Sequence, residues 1–159
     1  LGRIGADAIK PLMMEYGASI DPARRSFILY ALGKIKSAEI VEALPLALEA
    51  AESPSLELRD TATRALGKFA ESIPPSRLSE KVRHMCIEKL QKNLADPNPG
   101  LRSKAVRSLG KLAKYNHLSR DERAKLKSTC LLMLGKDENF EWDRAYIVRK
   151  EAEEALAYT

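Results

Sequence analysis

The chain has 159 residues, 45% hydrophobic, 31% charged and only 6% aromatic, with a net charge of +5. That length supports one domain with a real core, and the mixture is that of a globular chain rather than a disordered one. Two cysteines exclude a disulfide-dense scaffold and point to a reducing, cytoplasmic setting, and no apolar run approaches the ~18 residues needed to cross a membrane.

Ala, Leu, Glu, Lys and Arg dominate, and runs of β-branched residues are missing, so an all-α fold is expected. Leu1 to Arg3 reads as the tail of a preceding helix, with residues 1–5 closing an upstream repeat of a longer array. A first amphipathic segment runs from Asp7 to Tyr16, and the turn signal SIDP at 19–22 leads into DPARRSFILYALGKI at 21–35. The next pair is Ser37 to Ala51, with Pro45 expected to kink it, and LELRDTATRALGKFA at 56–70 after the turn ESPS. Ser76 to Ala95 follows, then DPNPG at 96–100 and the helix GLRSKAVRSLGKLAK at 100–114. The last pair is Ser119 to Leu134 and DRAYIVRKEAEEALAY at 143–158, joined by the longest predicted loop, GKDENFEWD. Ser37, Ser76 and Ser119 are expected N-caps, and SRDE at 119–122 has the spacing of a capping box.

These segments repeat. Leu-Gly-Lys occurs at 32–34, 66–68 and 109–111, and aligning on its glycine places Arg25, Arg59 and Arg102 eight residues earlier. In a fourth copy Arg149 stands eight before Ala157, where alanine replaces glycine. With Gly2 of the opening Leu-Gly-Arg at 1–3 included, the intervals between the aligned positions are 31, 34, 43 and 47 residues, so the unit is elastic between helices and strict within one. Helix pairs of this kind cannot bury an apolar face alone, and stacking builds a continuous core. The repeats span about 7–36, 37–74, 75–118 and 119–159, giving one domain over 1–159 in the form of a right-handed α-solenoid of about four antiparallel helix pairs.

Two features then gain a structural reading. Gly33, Gly67 and Gly110, each set within a predicted helix, cost about 1 kcal/mol apiece relative to alanine and are expected to let a neighbouring helix approach. Six residues before each arginine stand Ser19, Ser53, Asp96 and Asp143. A turn carboxylate from Asp96 or Asp143 is placed to reach the arginine of its own or a neighbouring repeat, and buried guanidinium groups need such partners.

The stretch DPNPGLRSKAVRSLGKLAK at 96–114 resembles the second helix of a HEAT repeat, and more specifically the short HEAT-like class first noted in phycobilin lyases. Residues 21–35 and 56–70 are weaker copies, and 143–158 departs by losing the glycine. The resemblance implies a scaffold that binds another protein on a concave face formed by the second helices. Its minority members imply two alternatives: a nucleic-acid-binding protein of alkylpurine glycosylase type, or a bilin lyase.

Catalytic and metal-binding patterns are missing from the sequence, and no cofactor is implied. His84 and His117 read as ordinary surface histidines, and Cys86 and Cys130 as buried, inert thiols. Phe140 and Trp142 are expected to cover the end of the stack, with a base-binding pocket as the alternative. The remaining signal is a stripe three residues before and one after each glycine: Tyr30 and Lys34, Arg64 and Lys68, Arg107 and Lys111, extended by Lys114. It suits an acidic protein segment, or phosphates, since residues 75–118 carry ten basic against three acidic groups.

Overall fold

The computed structural model describes residues 5–139 and 141–159. The expected tail at Leu1–Arg3 and the side chain of Phe140 lie outside them. The described residues are all-helical, with eight α-helices, short 3-10 turns and a single β-bridge between Leu134 and Trp142. None of the helices is long and apolar enough to cross a membrane.

The helices are α1 (Ile9–Ala18), α2 (Pro22–Leu32), α3 (Leu44–Ala50), α4 (Leu56–Ala70), α5 (Glu80–Asn93), α6 (Pro99–Lys114), α7 (Arg120–Met133) and α8 (Tyr146–Leu156). Their starts follow from capping chemistry. Asp21, Ser55 and Asn98 accept hydrogen bonds from first-turn amides of α2, α4 and α6, and Pro22 and Pro99 sit where a missing N–H costs nothing. Ser119 and Glu122 form a reciprocal capping box on α7.

Three local expectations need correction. Ser76 lies exposed in the 3-10 turn Pro75–Arg77, and Ser79 caps α5 instead. Pro45 does not kink a continuous helix. Its ring would clash with the carbonyl of residue 41 and it has no N–H, so Ala38–Ala43 winds as 3-10 helix and α3 begins afresh around the proline. Gly33 is not inside a helix: α2 ends at Leu32, and Gly33 is its C-cap with ordinary right-handed backbone.

Along the fold α2 packs on α4, α4 on α6 and α6 on α8, while α1, α3, α5 and α7 each flank the even-numbered helix that follows. The apolar side chains repeating at helical spacing fill the space between these two rows. Leu29 and Leu32 of α2, Leu66 and Phe69 of α4, Leu101 and Leu109 of α6, and Val148 and Ala152 of α8 are all buried. Burying a leucine fully contributes about 2 kcal/mol, so this shared interior outweighs the intrinsic preference of any single helix.

Candidate functional site

The aligned arginines occupy one kind of environment. Arg25 donates from Nε to the Ser19 carbonyl at 2.6 Å and lies over the Tyr16 ring at 4.7 Å. Arg59 donates from Nη1 to the Ser53 carbonyl at 2.8 Å and from Nη2 to the Asp96 carboxylate at 3.1 Å. Arg102 donates from Nη1 to the Asp96 carbonyl at 2.9 Å, and from Nε and Nη2 to the two oxygens of Asp143 at 2.8 and 2.9 Å. Arg149 donates to the Asp143 carbonyl at 2.7 Å. Asp96 and Asp143 therefore each bridge two arginines, the carboxylate serving the preceding repeat and the carbonyl serving their own.

The turn is built for this. In every repeat the residue six before the arginine accepts, through its side chain, the amide two residues on: Ser19 from Asp21, Ser53 from Ser55, Asp96 from Asn98 and Asp143 from Ala145. That local bond turns the carbonyl towards the arginine. Burial pushes the Asp143 carboxyl up, but Arg102 and the Ala145 amide outweigh it and hold it below the usual carboxylate range.

The glycines differ among themselves. A Cβ at Gly67 would stand 2.8 Å from the Cα of Ser108, so α4 and α6 cross there backbone to backbone. A Cβ at Gly110 would meet the Ala155 Cβ at 3.1 Å, whereas one at Gly33 would meet nothing closer than 3.4 Å. Close approach accounts for Gly67 and Gly110 and does not account for Gly33.

The outward stripe splits into two classes. Arg107 is paired with the buried carboxylate of Glu151, its Nε donating at 3.0 Å. Lys111 and Lys68 meet Glu71 at 2.5 and 3.3 Å, and Lys36 reaches the same carboxylate at 2.6 Å. Tyr30, Lys34, Arg64 and Lys114 are different. Lys34, Arg64 and Lys114 have no carboxylate within ion-pair distance among the described residues. They lie on aromatic faces instead: Lys34 and Arg64 on Tyr30 at 4.8 and 5.5 Å, and Lys114 on Tyr158 at 5.4 Å. Tyr30, Lys34, Arg64 and Lys68 rim a shallow pocket floored by Leu29, Gly33 and Ala65.

No protein-family model matches this chain, and none of the curated proteins does either.

Elsewhere the expectations divide. His84 is exposed, but His117 is not a surface residue: it is 2% exposed, its Nε2 lies 3.0 Å from the Ala70 carbonyl, and burial pushes its pKa down. It follows the left-handed Asn116, so the chain doubles back after α6 and drives the ring inward, which helical spacing alone does not signal. Trp142 does not cover the stack; it is 62% exposed. The thiols of Cys86 and Cys130 are buried, which pushes them to about 12 and about 11. Among the described residues no cluster of three His, Cys, Asp or Glu side chains could hold a metal.

Glu71 and Glu151 are not among the residues that the aligned stripe predicts, because they lie off its register. Glu71 stands three residues after Lys68, the spacing of a helical ion pair, and that signal was available. Burial pushes the Glu71 carboxyl up, but Lys111 and Lys36 outweigh it and hold it at about 2, down from 4.5. A carboxylate depressed in the folded state stabilises above its unfolded pKa, and this contribution is lost as pH falls from 4.5 towards 2. The shift corresponds to about 3 kcal/mol, offset in part because Lys111 is itself desolvated, leaving about 2 kcal/mol. Glu71→Gln should therefore lower the urea midpoint at pH 7 and lose little further between pH 5 and 3. A variant with the wild-type pH slope would refute this.

Proposed function

We propose that the chain is a HEAT-like, right-handed solenoid of four helix pairs that serves as a non-catalytic interaction scaffold, docking an acidic segment of another protein on the concave face of α2, α4 and α6. The repeated arginine and turn contacts support a translational repeat. Curvature is supported by the two rows. The even helices pack closely, whereas apolar grooves part the odd ones: Pro45, Leu48, Val82 and Met85 line one, and Ile87, Leu94, Leu118 and Leu126 line another. The right-handed sense comes from the resemblance.

The observation that carries the docking reading is the trio Lys34, Arg64 and Lys114, exposed or half-exposed and without acidic partners among the described residues. Lys68, Arg107 and Lys111 are occupied internally and make the framework of the face rather than its contacts. A labelled twelve-residue Asp/Glu peptide and a twenty-base-pair DNA duplex make the test. The peptide should bind at 150 mM salt and lose at least tenfold with Lys34→Glu, Arg64→Glu and Lys114→Glu combined. Unchanged peptide binding would reject the site. Tighter binding to duplex, with a steep loss between 50 and 200 mM salt, would favour the nucleic-acid reading instead.

A further inference from the structure

Gly33 has no role in the fold described so far. Its backbone is right-handed, with φ −64° and ψ −13°, a conformation open to any residue but proline's neighbours in a strained turn. Nor does a neighbouring helix press on it. Across each junction the glycine is faced by the residue two before the next aligned small position: Ser108 faces Gly67, and Ala155 faces Gly110. By that register Ala65 faces Gly33. A Cβ at Gly67 would stand 2.8 Å from the Ser108 Cα, and one at Gly110 would stand 3.1 Å from the Ala155 Cβ. At Gly33 the nearest atom across the junction is the Lys68 Cβ, at 3.6 Å. So α2 and α4 stand apart where two small residues leave them room to close.

The gap between them is the shallow pocket floored by Leu29, Gly33 and Ala65. It holds about 250 Å³, counted to its open mouth, and the surface it exposes is almost wholly apolar. Water in such a hollow finds few hydrogen-bond partners, and an anion gains nothing from its floor. The lip is of opposite character. Lys34 and Arg64, one from each side of the junction, lie on the Tyr30 ring and have no carboxylate partner among the described residues.

We propose that this slot takes one aliphatic side chain of about leucine size from the acidic segment docked on the concave face. The inference rests on the docking reading and adds to it a choice of sequence: an apolar residue set between carboxylates. The floor gains by covering methyl groups, and the cations on the lip gain from the acids on either side. The volume falls below the roughly 300–1,000 Å³ of small-molecule sites, which limits the occupant to a single side chain. The corresponding hollow between α6 and α8 is a poorer seat for an acidic chain, because Glu151 and Glu154 stand in its wall. Gly33 thus has a use that packing does not give it: a side chain there would fill the slot from below.

The test compares a labelled twelve-residue Asp/Glu peptide carrying one central leucine with the same peptide carrying serine, by fluorescence anisotropy at 150 mM salt. The leucine peptide should bind the wild-type protein at least fivefold more tightly. Gly33→Leu should cancel that preference while binding the serine peptide as wild type does. Gly33→Ala should reduce the preference with no fall in thermal midpoint, which separates a binding role from a folding one. A readout on the unaltered protein is the intermolecular NOE: the methyl groups of the peptide leucine should reach Gly33 Hα and Ala65 Hβ. Methyl NOEs elsewhere, or a leucine preference that survives in Gly33→Leu, would overturn the slot. Equal binding of the two peptides to wild type, still lost with Lys34→Glu and Arg64→Glu, would overturn the slot alone. Binding of neither peptide would overturn the docking reading and the slot together.

Discussion

Asp143→Ala should lower the unfolding free energy by about 3 kcal/mol, the low end of the range for breaking an enclosed ion pair. The pair is partly shielded, with 19% of the Arg102 side chain and 12% of the Asp143 side chain exposed. Removing the carboxylate deletes both Arg102 bonds and the bond to the Ala145 amide. It leaves a guanidinium held by carbonyls in a site that water only partly reaches. Asp96→Ala should cost less, since Arg59 makes one 3.1 Å bond to that carboxylate where Arg102 makes two. Urea denaturation of the two variants gives the ranking. A loss under about 1 kcal/mol for Asp143→Ala would mean that the fork is solvated and idle. In a double-mutant cycle with Arg102→Met, the paired change should cost less than the sum of the single ones.

Gly67→Ala carries the second large effect. Its methyl would stand 2.8 Å from backbone, which cannot swing aside as a side-chain tip can. Separating α4 from α6 would also strain a buried chain of bonds: Ser108 Oγ donates to the Thr63 carbonyl at 2.8 Å, and Asn93 Nδ2 donates to Thr63 Oγ1 at 2.8 Å. Overpacking costs about 1–3 kcal/mol, and the helix-propensity gain of about 1 kcal/mol does not cover the upper part of that range. A net loss near 2 kcal/mol is expected. Gly110→Ala should be close to neutral, because a helix-propensity gain of about 1 kcal/mol offsets the tight 3.1 Å contact with the Ala155 methyl. Gly33→Ala should match or exceed wild type by about 0.5 kcal/mol, because it restricts the unfolded chain and meets no obstacle. Calorimetric midpoints in any other order, above all Gly67→Ala melting with Gly33→Ala, would contradict the close crossing.

The helical character of the chain was legible because apolar residues recur at helical spacing and β-branched runs are scarce. The relation of arginine to turn was legible as a fixed interval of six residues. Chain direction after a break was not. Helical periodicity continues through Gly33 and Pro45, yet α2 stops at Leu32 and the segment from Ala38 splits in two. Periodicity records which side is apolar, and not where hydrogen bonding fails. The candidate face was half legible for a similar reason. Lys68, Arg107 and Lys111 fall in register with Lys34 and Arg64, but whether a cation is quenched depends on carboxylates brought from other repeats. Glu151 lies 44 residues from Arg107, and no local pattern links them.

The junctions along the even helices are not equally strong. Between α4 and α6, and between α6 and α8, carboxylates clasp guanidinium and ammonium groups. Between α2 and α4 the polar contacts are the hydroxyls of Ser26 and Thr61 at 2.6 Å and Arg64 on the Tyr30 ring at 5.5 Å, with the largely exposed Lys36 reaching across to Glu71. The pair α1 and α2 is thus joined to α4 by weaker polar contacts than those linking α4, α6 and α8. Tyr30, Lys34 and Arg64 straddle that junction, so the proposed docking face opens where charge pairing between neighbouring even helices is sparsest.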